Sequence, residues 1–304
     1  MVTLIIIAFS AATAALLLGE RQHRNLAQTQ HHYLKMLLLG DLHSERYIEE
    51  LSLLAGARTK MVAAQVVAEL SPIIYRLDAQ YIDGITRELH LSDFLIEKSR
   101  HARGAKQIYL LSMLSKIPLE HFDLELLEPY THSKDRLIRL FALLATINAD
   151  RKNILRHIAS YPFCLNPFEL SQLLAMLRQG ALTVAYQPML AFDSVNVKMV
   201  GIAVVRHFGI DEAEGELRKI IDLSDHKELR RQALYALASM RLLLCTPTIA
   251  QFVKGFSNLE HQRFLRYLAC EGYAQGVIDF FAWQSEAQYL QSFINSHKVK
   301  IECL

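Results

Sequence analysis

The chain has 304 residues, with 33 Lys and Arg against 31 Asp and Glu and a formal net charge of +2. So balanced a charge lacks the basic field that general nucleic-acid binding requires, so no nucleic-acid partner is expected. An apolar fraction of 52% with a mean hydropathy of +0.15 is high for a soluble protein and too low for several membrane spans. It predicts a large core plus one special segment.

That segment is N-terminal. Val2 to Leu18 carry no charge, and at ~1.5 Å per residue they reach roughly 26 Å as a helix, enough for a thin bilayer. Ala12-Thr13-Ala14 also has the small-x-small form of a signal-peptide cleavage site. No Lys or Arg precedes the apolar run, however, and it continues through Leu16-Leu17-Leu18, so residues 1–19 are read as an uncleaved transmembrane anchor. The first charges beyond it, Glu20, Arg21 and Arg24, place the C-terminal body in the cytoplasm by the positive-inside rule. Ala11, Ala15 and Gly19 recur at every fourth position. They form a stripe of small residues along one helix face, suited to close packing against a membrane-protein partner.

Residues 20–91 read as a juxtamembrane helix followed by a helical cap. His23, His31 and His32 lie in this stretch without the further ligands that a metal site needs, and read as part of a polar face near the headgroups.

From Ser44 onward apolar residues recur at helical spacing, in runs broken at Ser71-Pro72, Ile117-Pro118, Tyr161-Pro162, Asn166-Pro167, Gln187-Pro188, Gly209 and Thr246-Pro247, and repeats are read over residues 92–297. Three of the helices share an apolar–basic pair with a small residue three positions later. They are Ile138, Arg139 and Ala142; Val197, Lys198 and Gly201; and Leu229, Arg230 and Ala233. The small residue lets neighbouring helices approach closely. The steps between them, 59 and 32 residues, fit a helix-turn-helix period near 32 with one weaker unit around Phe168 to Met176. Trp283 and Tyr289 close the last pair, and 298–304 is a loose tail.

With its apolar–basic pair after a short polar turn, the chain resembles the HEAT family of α-solenoids. The fold expected is therefore all-α, a row of HEAT-like helix pairs preceded by one transmembrane helix. The resemblance implies a non-catalytic, membrane-anchored scaffold or adaptor for a protein partner. Accessory subunits of membrane systems, including glycosyltransferases that build envelope polysaccharides, supply the partner class. It also implies an alternative, an enzyme like the alkylation-repair DNA glycosylases or the bilin lyases, which share the fold. The expected binding surface runs along the second helices of successive units and carries Arg156, Arg218, Lys219, Gln251 and Lys254.

Chemistry-bearing clusters are sparse. Asp211, Glu212, Glu214 and Glu216 open a helix, where carboxylates complement the exposed N–H groups. Cys270 with His261 could pair a nucleophile and a base, but the two fall on different faces of one helix. None of the phosphate-loop, dinucleotide or nucleophile-elbow motifs occurs. Four widely spaced cysteines without a C-x-x-C pair exclude a disulfide framework and a zinc site. Cys245 and Cys270 read as small core residues of a reduced compartment. No cofactor or metal is expected.

Overall fold

A computed structural model of the chain describes residues 57–280 apart from 75–78, 120–121, 178–184, 245, 274 and 278. The anchor at 1–19 with Ala11, Ala15 and Gly19, the histidines of the juxtamembrane stretch, Cys245, Trp283, Tyr289 and the tail all lie outside the described residues. Every regular element among the described residues is a helix, so the all-α class read from the periodicity holds and an α-solenoid is compatible with it. No helix among them is long and apolar enough to cross a membrane. The chain divides into two compact units, one ending at Asn153 and the other beginning at Ile154.

The first unit contains α1 (Ala57–Ile74), α2 (Ala79–Glu88), α3 (Leu91–His101), α4 (Ala105–Leu114), a short α5 (Glu128–Thr131) and α6 (Arg136–Ala149). Helix α1 runs through Pro72 rather than stopping there. Val62, Val66, Val67 and Leu70 of α1 are buried, and the helix packs on α2, α3 and α4. Leu91 and Leu95 of α3, Leu110, Leu111 and Leu114 of α4, and Ile138, Ala142 and Ala145 of α6 complete one apolar core. Arg139, the basic member of its pair, is buried and donates to the carbonyls of Ser133 and Lys134, fastening the turn that precedes its own helix.

The second unit contains α7 (Ile154–Ser160), α8 (Pro167–Met176), α9 (Tyr186–Ala191), α10 (Val195–Phe208), α11 (Glu214–Leu223), α12 (Lys227–Ser239), α13 (Pro247–Lys254) and α14 (Asn258–Cys270). Their starts follow from capping. Asn166 with Glu169, and Ser257 with Glu260, form capping boxes, Thr246 accepts from Ile249 N–H, and Pro167 and Pro247 occupy first-turn positions where a missing N–H is harmless. Helices α10, α12 and α14 pack side by side with α8 against α10, while α11 and α13 form a second row. Within each pair the shorter helix turns sharply into the longer one after it, α9 into α10 and α11 into α12.

Repetition shows most clearly where the long helices end. Gly209, Arg241 and Gly272 follow α10, α12 and α14 with φ of 62°, 56° and 65°. Each left-handed residue is followed by an N–H that reaches back into the helix, Ile210 to Val205, Leu242 to Leu237 and Tyr273 to Leu268, at 3.0–3.1 Å. Gly201 on α10 bears out the close approach expected of it, since a Cβ there would lie 2.9 Å from Met189 Cβ and 3.3 Å from Leu190 N of α9. Arg230, the basic partner of Leu229, lies over the Phe252 ring of α13 at 4.2 Å.

Side chains also bridge residues about one repeat apart. Tyr273 Oη donates to Leu242 O at 2.8 Å, and Arg241 donates to Glu271 O at 3.0 and 3.2 Å. Asn196 accepts from Leu165 N–H at 3.0 Å and donates to the carbonyls of Tyr161 and Phe163 at 3.1 and 2.9 Å. In the first unit, Ser99 and Tyr130 share a hydroxyl–hydroxyl bond of 2.9 Å across 31 residues. One sequence reading is corrected: Cys270 is exposed, not a core residue. Phe264 and Leu268 set the buried face of α14, and two residues beyond Leu268 the helix has turned about 200° away from it.

Candidate docking groove

On the row formed by α8, α10, α12 and α14 lies an open groove of about 300 Å³. Its floor is apolar, made by Leu170 and Leu174 of α8, Ala203 of α10, and the rings of Tyr235 on α12 and Tyr267 on α14. Its polar lining comes from Arg206, Arg231, Gln232, Glu260 and Arg263. The lining keeps a single interval. Ser171, Ala203, Tyr235 and Tyr267 are spaced by 32 residues, and Glu228-x-x-Arg231-x-x-x-Tyr235 on α12 is repeated as Glu260-x-x-Arg263-x-x-x-Tyr267 on α14. A helix presents i, i+3 and i+7 on one face; five of the six residues line the groove, and Glu228 stands beside it, paired with Arg231. The tyrosine rings stack at 4.6 Å between centroids, and Tyr235 lies 5.3 Å from Phe264.

The charges form a ladder across the helices. Arg231 pairs with Glu228 on its own helix and stands 3.7 Å from Glu260 on the next, while Lys227 Nζ meets Glu260 at 3.0 Å. Glu260 also accepts from Ser257 N–H at 2.8 Å. That backbone bond, followed by the bond from Lys227, holds its carboxyl down at about 2. Burial has the opposite consequence for the phenols: it raises Tyr235 above its ordinary value and pushes Tyr267 up to about 12. Both tyrosines therefore remain neutral, presenting ring faces and hydroxyls. Beyond Arg231 the ladder stops. Arg263 and Arg206 are exposed, and among the described residues no carboxylate stands within ion-pair distance of either.

Of the residues expected from sequence to form a surface, all but Arg156 lie on the other row. Lys219 on α11, Gln251 and Lys254 on α13, and Arg156 on α7 are exposed, and α11 and α13 pack on one another. Arg218 is committed inward: Nη2 donates to Glu214 Oε1 and to Leu243 O, both at 2.6 Å. Sequence reasoning missed the groove because it compared buried positions between helices. The signal was available at partly accessible ones, in the two Glu-x-x-Arg-x-x-x-Tyr copies.

Asp211, Glu212, Glu214 and Glu216 do occupy the helical start at α11, as the dipole favours. His261 and Cys270 stand at opposite ends of α14, roughly 13 Å apart along its axis, and His261 Nε2 is engaged with Val253 O at 2.7 Å. A polar hollow of about 260 Å³ in the first unit is lined by Asp83, His90, Asp93 and Asp123 among others. No grouping of ligand residues among the described residues is disposed to hold a metal. Compared with protein-family models, with characterised proteins and with solved structures, the chain gives no match.

Proposed function

We propose that the protein is a membrane-anchored adaptor that works by binding rather than catalysis, and that the unit from Ile154 onward docks a partner protein in the groove over α8, α10, α12 and α14. The carrying observation is the repeated Glu-x-x-Arg-x-x-x-Tyr triplet. A packed core demands recurrent Leu and Ala, but it does not demand the same acidic, basic and aromatic residues at matching half-buried positions of successive helices. Tyrosine and arginine are also the side chains that most often dominate protein interfaces. The 32-residue interval, the apolar–basic–small triads and the one-repeat hydrogen bonds support the HEAT-like form of this reading. The uncharged run Val2 to Leu18 supports a single anchor, with the body in the cytoplasm and a membrane protein as partner.

Site-directed photocrosslinking in membranes separates the two possible faces. A crosslinking residue placed at Ser171 or Gln232 should capture one defined polypeptide, and one placed at Lys219 or Lys254 should not. Capture from Lys219 and Lys254 alone would transfer the docking site to the second row. Capture from neither face would remove the adaptor reading.

A further inference from the structure

Resting on the docking role of the groove, we infer that its occupant is an acidic segment of a protein, extended across the helices, with carboxylates at both ends and an apolar side chain between them. The charge ladder leads to this. Glu228, Arg231 and Glu260 alternate in sign and satisfy one another across α12 and α14. Arg263 then repeats Arg231 on α14, and among the described residues no carboxylate continues the series there. Arg206 stands in the same condition on α10. Arg206 lies close enough to Tyr267, and Arg231 and Arg263 to Tyr235, for their charges to act on the two phenols. The two open guanidinium groups thus flank a tyrosine-lined floor, and each offers the planar fork that binds a carboxylate in bidentate fashion.

The span between them sets the length of the segment. Neighbouring packed helices lie about 8–10 Å apart, so the axes of α10 and α14 lie roughly 16–20 Å apart, an upper bound on the distance between guanidinium groups that reach inward towards Tyr267 and Tyr235. An extended chain rising about 3.3 Å per residue crosses that distance in at most some five or six residues.

Shape sets the middle of the segment. Along the 32-residue register the side chains run Ser171, Ala203, Tyr235, Tyr267, small on α8 and α10 and aromatic on α12 and α14. Ala203 therefore leaves a notch beside the Tyr235 ring, floored by Leu170 and Leu174, which takes one aliphatic side chain. A nucleic-acid backbone suits this groove poorly, because its evenly spaced phosphates would meet the Glu228 and Glu260 carboxylates that interrupt the arginines. An anionic bilayer is flat and would not reach the notch.

Fluorescence anisotropy with the full-length protein in detergent tests this. The probes are short labelled peptides carrying Glu, Leu and Glu at the stated spacing, the Gln-for-Glu isostere, a single-stranded oligonucleotide, and phosphatidylglycerol vesicles. The acidic peptide should bind about tenfold more tightly than its isostere, the scale of one charge-assisted contact. Arg206→Glu combined with Arg263→Glu should abolish that preference, and the Lys versions of both should retain part of it. Both positions are exposed, and an unchanged helical circular-dichroism signal shows that the variants fold. Equal binding of peptide and isostere, or binding of the oligonucleotide or vesicles in place of the peptide, overturns the inference. The docking reading is judged separately: if the glutamate variants lose peptide preference in neither direction while the Ser171 crosslink to the partner persists, docking stands and the acidic occupant falls.

Discussion

Arg241 is held in the left-handed conformation, and its guanidinium donates twice to the carbonyl of Glu271, one repeat further on. The equivalent positions at the ends of α10 and α14 are glycines, which adopt that conformation without strain. A side chain there costs about 1–2 kcal/mol, and two exposed hydrogen bonds return a comparable amount. Arg241→Gly should therefore leave stability nearly unchanged, whereas Arg241→Ala keeps the strain, loses the bonds and costs about 1–2 kcal/mol. Urea midpoints of the two variants check the order, and an alanine variant as stable as the glycine one would contradict it.

Asn196 is buried and holds three backbone groups of the segment before α8. Asn196→Ala strands one N–H and two carbonyls and should cost about 2–4 kcal/mol. Hydrogen exchange at Leu165 should accelerate strongly in this variant. Asn196→Asp keeps the acceptor and loses both donors, so Leu165 should stay protected while global stability falls.

Two glycines should respond to alanine in opposite directions. Gly201 faces Met189 and the backbone nitrogen of Leu190 inside 3.4 Å, which leaves a methyl no room, while Gly215 on α11 has nothing within 4 Å. Gly201→Ala should lose about 1–3 kcal/mol through overpacking. Gly215→Ala should gain about 0.5–1 kcal/mol from reduced freedom of the unfolded chain. Thermal melts of the pair decide, and a shared sign would show that α9 and α10 are not in close contact.

Acid should weaken the α12–α14 junction through Glu260. Its folded carboxyl ionises at about 2, below the ordinary 4.5, so the unfolded chain takes up the proton first as pH falls. The stabilisation is fully present above pH 4.5 and is lost progressively as pH drops towards 2. Glu260→Gln removes that contribution, so urea midpoints of wild type and variant should differ at neutral pH and converge in acid. A gap that stays constant with pH would assign the carboxylate no such role.

Much of the fold was legible in advance. The helical class followed from apolar spacing. Val197 and Leu229 lie exactly one repeat apart because core positions must recur wherever helices stack. The 59-residue step from Ile138 to Val197 crosses the division between units at Asn153 and Ile154, which no Pro or Gly marks. Proline was read too strictly at Pro72, where the helix continues. Cys270 was placed in the core because its neighbours are apolar, although its angular position on α14 points away from Phe264 and Leu268. Arg156, Arg218, Lys219, Gln251 and Lys254 were chosen for recurrence along the second helices, and recurrence does not reveal that Arg218 already serves Glu214 and Leu243. Tyr235 and Tyr267 were overlooked because tyrosine at helical spacing reads first as core.

The one-repeat hydrogen bonds constrain how the length of this protein can change over generations. Residues 225–256 make one 32-residue unit and Ser257 begins the next, so duplicating or deleting such a stretch presents every Arg241-like or Tyr273-like donor with an equivalent carbonyl. An insertion of any other size inside a unit sets those donors against the wrong backbone. The second unit is therefore free to lengthen or shorten in quanta of about 32 residues, and each added quantum carrying Glu, Arg and Tyr would extend the groove by one helix.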